Sequence, residues 1–572
     1  MNEYLLITKL IFKNAFRSDK LKLGADKGSE KAKKIRNAVL LTVLLLVGFA
    51  PILFGFCYMI YVYSEAMAMS GVHADLYGML LSVSQVVVLI FGMVSVVSVL
   101  YKASDLEFLG QLPVKSSVVF WAKMTYVYVT EAVIAIAMIV PATASFALGV
   151  QKAGVELPAL FYVLTPIAVF VAPVVPLLFA NLLAMPIIFV TKRLKNRTYT
   201  GLIVAAVLYI GIMFAYMMVV NKFGSASGDE EGNIVVTDEM IKGILLTSKI
   251  FFFNRWLALS MCGAKALDLL FYVLFLAAMV GVCYLVSSTF FKKNAKNALE
   301  TSGAGGKKSS AAIVLEPENV RKALIKREWK MLVGEFNFAF NTLLSVIMPF
   351  VLLGLMTITG ASGEMSGIGQ EEGQALSKGA EMMVSAGFAL IYGIFCTCGI
   401  DYAASIAVSR EGQTFYINKY LPLNPKDVID AKVALADFIG LAGAIVTGVS
   451  GAIFLKTGFH SLGIIVVSAL YNLGFNRLGV LRDLKKPSLG WTNPAEATKK
   501  NFYPMVPMFY AIGVGVVEMI AAVALTELKS DALAAVIFYA FSIVVAVPFT
   551  LINAKRLKTK GVEYFEKIEQ SV

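Results

Sequence analysis

The sequence predicts an all-α polytopic membrane protein, with about 12 transmembrane helices in two tandem six-helix halves and amphipathic helices on the membrane face. Three observations predict it. The 572 residues are 58% hydrophobic and only 16% charged, with a mean hydropathy of +0.75, a balance foreign to ordinary soluble domains. The apolar residues come in runs of about 20 or more, the length a helix needs to cross hydrocarbon, and without the alternation of a barrel strand. One stretch also occurs twice: Leu112-Pro113-Val114-Lys115 with Ala122-Lys123 returns, 309 positions on, as Leu421-Pro422-Leu423-Asn424 with Ala431-Lys432. Few residues are identical between the copies, so equal spacing and equal context between long apolar runs carry the inference of duplication.

The spans are read as Val39–Tyr63, Tyr77–Leu100, Val118–Leu148, Pro158–Val190, Thr200–Val220, Ala266–Phe291, Phe338–Ile358, Met382–Val408, Val428–Leu455, Ser461–Leu481, Phe502–Ala524 and Ala532–Ala554. A net charge of +13 could suggest nucleic acid, but its distribution argues otherwise. The tails and alternate connections, with their span ends, hold 42 of the 51 Lys and Arg residues. That segregation is the positive-inside pattern, and it places both termini in the cytoplasm. Five scattered cysteines, mostly inside apolar runs, give no disulfide framework. The first apolar run follows a long basic tail and reads as the first span rather than a cleaved signal.

In chain order, residues 1–38 form a cytoplasmic tail opening with a basic amphipathic helix, Tyr4-Leu5-Leu6-Ile7 and Leu10-Ile11-Phe12 among Lys9, Lys13 and Arg17. Residues 39–291 form the first six-helix half. Its fourth run carries Pro158, Pro166, Pro173, Pro176 and Pro186, so that helix is kinked or broken. Between its fifth and sixth spans Asn221–Lys265 begins acidic and then reads, over Ile244–Met261, as an interfacial or re-entrant helix; the matching loop Leu525–Asp531 is far shorter. Residues 292–319 are a Gly/Ser/Lys-rich linker. A second basic amphipathic helix occupies 320–336, the second half 337–554, and a cytoplasmic tail 555–572. Before each repeated proline lies a short amphipathic segment, with Leu106, Leu109 and Leu112 apolar in one copy and Ile417, Tyr420 and Leu421 in the other. Such a segment lies with its apolar side on the membrane face and its polar side free for a partner.

Few residues suggest chemistry. A phosphate-cradling loop needs Gly, four residues, then Gly-Lys-Ser/Thr. Gly306-Lys307 is instead followed by Lys308, Thr301 stands where the first glycine belongs, and no buried strand precedes it. It reads as linker. Cys396-Thr397-Cys398 has no histidine near it and reads as small buried thiols. Carboxylates inside spans are more informative, since a charge at the bilayer centre costs ~2.5–3.5 kcal/mol or more. Glu131, Asp401, Asp437 and Glu518 either line a polar path or relay protons, or else pair with hydroxyls and amides of neighbouring helices. Lys123 and Lys432, a turn inside their spans, read as snorkelling to headgroups. Gly440, Ala444 and Gly448, four apart, read as a close helix-packing stripe.

The repeated segment, from Asp105-Leu106-Glu107 through Leu112-Pro113-Val114-Lys115 to Ala122-Lys123, and from Arg410-Glu411-Gly412 through Leu421-Pro422 to Ala431-Lys432, resembles the permeases of bacterial ABC exporters of the second type, the type V exporter fold. Asp483-Leu484-Lys485-Lys486-Pro487, Trp491-Thr492-Asn493 and Lys499-Lys500-Asn501 resemble a cytoplasmic-loop signature of the fused twelve-span form. The first half departs from it, for its counterpart Thr191–Arg197 lacks Trp and Pro. The resemblance implies a transmembrane permease subunit in the bacterial cytoplasmic membrane, coupled through Asp105, Glu107, Leu109, Leu112, Pro113, Lys115, Glu411, Ile417, Tyr420, Leu421 and Pro422 to an ABC ATPase subunit, two copies per chain. It further implies a non-catalytic chain that binds no cofactor, with ATP and Mg on that partner, and export of a peptide, lipid or drug-like substrate. The rival reading is an ion-coupled secondary transporter using Glu131 or Glu518. A membrane enzyme or scaffold is weakened by the lack of a metal motif or nucleophile arrangement.

Overall fold

The computed structural model describes residues 2–15, 56–101, 113–193, 238–303, 319–358, 377–491, 505–528 and 530–568, with a few single positions between them. No strand occurs among the described residues, and ten helical stretches are long and apolar enough to cross a membrane. The protein is an all-α, membrane-embedded chain. Two of the twelve expected spans, 39–63 and 200–220, fall largely outside the described residues, although 56–69 is helical. The described residues divide into two compact units, one holding those up to 303 and one those from 319 on.

In the first unit α1 (Asn2–Ala15) is the expected amphipathic helix, with Ile7 buried while Leu5 and Leu6 stay exposed. It packs on α3 (Ser116–Lys152): the Tyr4 and Thr125 hydroxyls lie 2.6 Å apart and the Phe12 and Tyr126 rings 5.6 Å apart. Between them, α2 (His73–Val96) ends in a π turn over Val97–Tyr101. The proline-rich run is two helices, α4 (Ala159–Val171) and α5 (Val174–Arg193), parted at Pro173, because proline withdraws a backbone donor and crowds the preceding turn. The segment expected as one interfacial or re-entrant helix is also two: α6 (Asp238–Ile250) and α7 (Phe252–Gly263), broken at Phe251. Polar anchors hold the pair against α2. Asp75 accepts from Ser248 at 2.5 Å and from Arg255 at 2.9 Å, and Asn254 donates to Ser82 and Gln85. Buried polar groups need such partners, which explains why a mixed-polarity segment enters the core here. Finally α8 (Ala266–Gly303) runs past the expected span end at Phe291 into the stretch read as linker.

The second unit opens with α9 (Val320–Gly334), capped by the Asn319 side chain, and α10 (Phe336–Ile358). Then α11 (Lys378–Ile394) ends, like α2, in a π turn, Phe395–Gly399, and Asp401 caps the single turn α12 (Tyr402–Ser405). A 3-10 stretch, Ser409–Tyr416, and one helical turn, α13 (Ile417–Tyr420), lead into α14 (Pro425–Phe454). Both α3 and α14 start where the 309-residue repeat requires, at Ser116 and Pro425. The remaining helices are α15 (His460–Lys485), α16 (Met505–Ala524) and α17 (Asp531–Lys567). The small-residue stripe does what its spacing implies. A Cβ on Gly440 would lie 2.7 Å from Asn472 Oδ1, and one on Gly448 2.8 Å from the Ser461 carbonyl, both on α15.

Candidate functional site: a braced lever

Of the two repeated segments the structure describes the second fully. Its core is a buried charge cluster. Glu328, on the α9 face that also buries Leu324 and Leu332, receives Arg410 at 2.7 Å and Lys432 at 2.8 Å. Lys432, at the start of α14, also pairs with Glu411 and donates to the Ala407 carbonyl at 2.9 Å. Arg327 closes the ring, donating to Asn418 at 2.6 Å and approaching Glu411 at 3.4 Å, while Asn418 donates to Glu411 at 2.5 Å. Two carboxylates thus face three cations, and Glu328, Arg410, Glu411 and Lys432 are all buried. Burial by itself raises the Glu328 pKa, but Lys432 and Arg410 outweigh it and hold the carboxyl at about 2. Pairing is obligatory, because isolated charges of this depth carry a desolvation penalty of several kcal/mol each.

A second clamp grips the start of the lever. Asp483, at the end of α15, accepts from the backbone amides of Val408 and Ser409 at 2.6 and 2.8 Å and from the Ser409 hydroxyl. Trp491 donates its indole N–H to the Ser409 carbonyl at 2.7 Å, and its ring stacks edge-on to Phe338. Gly412 breaks the segment with φ +53°; a Cβ there would lie 2.9 Å from the Trp491 ring, so only glycine satisfies both the backbone and the space. At the far end Phe415 packs against Phe565 of α17 at 5.2 Å, and Lys419 donates to the terminal carbonyls of Glu566 and Ile568. Four elements of this unit therefore hold one short segment.

The arrangement alters several readings. Lys432 does not snorkel: it is wholly buried and salt-bridged, and Lys123 is buried as well, donating to the Val99 carbonyl at 3.1 Å. A lysine one turn inside a span has two options, and here the carboxylates of a neighbouring helix replace headgroups. Glu411 belongs to the buried side of the lever, not its free side, because the break at Gly412 resets the helical register. Ile417, Tyr420 and Leu421 are exposed, Tyr420 at 77%, and Pro422 is exposed beside them. In the first repeat Leu109 is buried while Pro113 and Lys115 are exposed; Asp105, Glu107 and Leu112 lie outside the described residues. Glu328 was overlooked by sequence reasoning. The signal was there: a lone carboxylate in a basic helix, four residues from an apolar neighbour on each side, at Leu324 and Leu332.

The four intramembrane carboxylates go to separate places. Glu131 accepts from Ser95 at 2.5 Å. Glu518 accepts from Tyr471 at 2.5 Å and Ser542 at 2.6 Å. Asp437 makes a two-pronged pair with Arg477, both contacts at 3.0 Å. Asp401 spends one oxygen on the Ala403 amide as a helix cap. No group of three or more potential metal ligands exists among the described residues.

An all-α chain embedded in the membrane and carrying this braced segment is a polytopic membrane protein of the helical class. The family model described as "Putative ATP-binding cassette" matches residues 29–352, more than half of the chain, and the chain belongs to that family. No curated protein and no solved structure matches it. The family ties the chain to ABC transport, and it overturns two expectations. A non-catalytic chain binding no cofactor, with ATP and Mg confined to a partner, was expected; the match points to ATP binding and ATPase activity on this chain itself. Among the described residues no strand precedes a glycine-rich loop and a helix, the unit that cradles phosphates. Those residues do not fit a nucleotide, and no step is derived through one.

Proposed function

We propose that this protein is the membrane-spanning permease component of an ABC exporter, built as two tandem six-helix halves and moving a peptide, lipid or drug-like substrate across the bacterial cytoplasmic membrane, with both termini in the cytoplasm. One observation carries the reading. The segment Ser409–Pro422 is clamped on one side by buried charges, Asp483 and Trp491, and exposes Ile417, Tyr420 and Leu421 on the other. A segment held from four directions transmits a push instead of absorbing it, and an exposed aromatic with apolar neighbours is the composition of a binding hot spot. Its partner is a subunit of the ABC ATPase class, two copies per chain, one on each repeated segment; of the first segment's described residues, Pro113 and Lys115 are exposed for such a contact and Leu109 is not. This proposal concerns the levers and leaves the ATP binding indicated by the family on this chain.

The test is co-purification. Wild-type chain recovers the ATPase-class subunit stoichiometrically, whereas Tyr420→Ala combined with Ile417→Asp cuts affinity at least ~30-fold, the weight of a truncated hot-spot residue, while amide exchange at 409–416 stays unchanged. Undiminished recovery sinks the proposal. So does transport by ATP-free vesicles under an ion gradient alone, which would favour ion coupling through Glu131 or Glu518.

A further inference from the structure

Beside the first repeated segment, the first unit carries an open groove between α3 and α8. One part, about 660 Å³, is lined by Trp121 of α3 and by Val273, Leu276, Ala277, Val280, Gly281 and Tyr284 of α8. These are almost wholly apolar surfaces, and Val273, Ala277, Val280 and Gly281 are exposed along it. The groove continues past Trp121 and Tyr284 into a second space of about 530 Å³, where the lining turns polar: Tyr4, Lys115 and Ser117. Lys115 is exposed, precedes the first turn of α3, and has no ion-pair partner among the described residues.

We propose that this groove binds one anionic phospholipid of the bilayer, with an acyl chain along Val273–Gly281 and the phosphate at Lys115. Length supports the fit. From Val273 to Tyr284 the helix rises ~16 Å, about half of a ~30 Å hydrocarbon core, so the apolar part is one leaflet deep. Polarity supports it too. The groove changes character once, at the level of Trp121 and Tyr284, the residue types that mark the headgroup boundary. Beyond that boundary stands a cation with hydroxyls at hand. A soluble ligand would leave the apolar part facing hydrocarbon, and a protein helix would leave the lysine without a counter-charge. This inference needs only that the chain is membrane-embedded; it shares Lys115 with the proposed partner surface, and lipid retention is read on the chain without that partner.

The experiment is native mass spectrometry of the full chain, delipidated and then offered phosphatidylglycerol or phosphatidylcholine. Wild type retains one phosphatidylglycerol and little phosphatidylcholine. Lys115→Gln lowers phosphatidylglycerol retention about fivefold, the weight of one lysine at an anionic surface. Gly281→Phe, whose side chain enters open space and leaves the packing intact, abolishes retention while elution and melting stay unchanged. Equal retention of the two lipids, or full retention by Gly281→Phe, overturns the proposal and leaves ordinary annular lipid.

Discussion

Among the described contacts, each unit fastens an amphipathic helix to a long span, and the chemistry differs. In the first, the amphipathic helix α1 meets α3 through a hydroxyl pair, Tyr4 with Thr125, and a ring contact, Phe12 with Tyr126. In the second, the corresponding helix α9 meets α14 through Glu328 and Lys432, with Arg410, Glu411 and Arg327 drawn into the same cluster. Hydroxyl pairs each contribute about 0.5–1.5 kcal/mol net and tolerate small displacements. Buried charges tolerate none, since each carboxylate that loses its cation stays desolvated. The difference teaches that, among the described contacts, the second unit holds its amphipathic helix by buried charge, the fastening that tolerates least displacement.

Four substitutions or conditions sharpen or break that contrast. The largest effect is expected from Lys432→Met, which removes the buried cation shared by Glu328 and Glu411 and leaves only the half-buried Arg327 at 3.3 and 3.4 Å between them. Unfolding of the detergent-solubilised chain should show a loss of about 3–5 kcal/mol, with amide exchange rising across 320–334 and 409–420. A loss below that of Tyr4→Phe would erase the distinction between the units.

Acid gives the next effect. Because the Glu328 pKa is depressed in the fold to about 2 from its ordinary 4.5, its contribution is fully present above 4.5 and is lost as pH falls towards 2. Between those values the second unit should loosen progressively by amide exchange, and Glu328→Gln should remove its share of the slope. An unchanged slope in that variant would show that the group is not held down by Lys432 and Arg410.

Trp491→Phe removes the indole bond to the Ser409 carbonyl but keeps a ring against Gly412. We expect a loss of about 1 kcal/mol, with faster exchange confined to the start of the lever. The smallest effect belongs to Tyr4→Phe in the first unit, about 0.5–1 kcal/mol, read as local fraying of α1 with no change at 409–420. If exchange in the second lever responds to Tyr4→Phe, the two fastenings are not independent.

Much of this architecture was legible in the sequence. Run length and charge segregation identify a polytopic helical protein because both follow from the bilayer, which acts on every residue alike. The breaks at Pro173 and the packing stripe Gly440–Gly448 could be read for the same reason: a missing N–H or a missing Cβ has a local consequence wherever it sits. The partners of Lys432 could not be read. Glu328 precedes it by 104 positions, and whether a lysine near a span end reaches headgroups or a carboxylate depends on which helix passes beside it. Neither could the roles of Asp483 and Trp491, which lie 74 and 82 residues beyond the Ser409 they hold.

By itself, then, the sequence determined that this chain lives in a membrane, where its helices begin, and that one segment occurs twice, since these depend on composition and on neighbours along the chain. Only the tertiary structure decided that the second copy is anchored by buried charge, which residues of it are exposed, and that α3 and α8 leave a groove with one polar end. Those outcomes rest on which helices meet in space, and pairing across a hundred residues leaves no mark on local pattern.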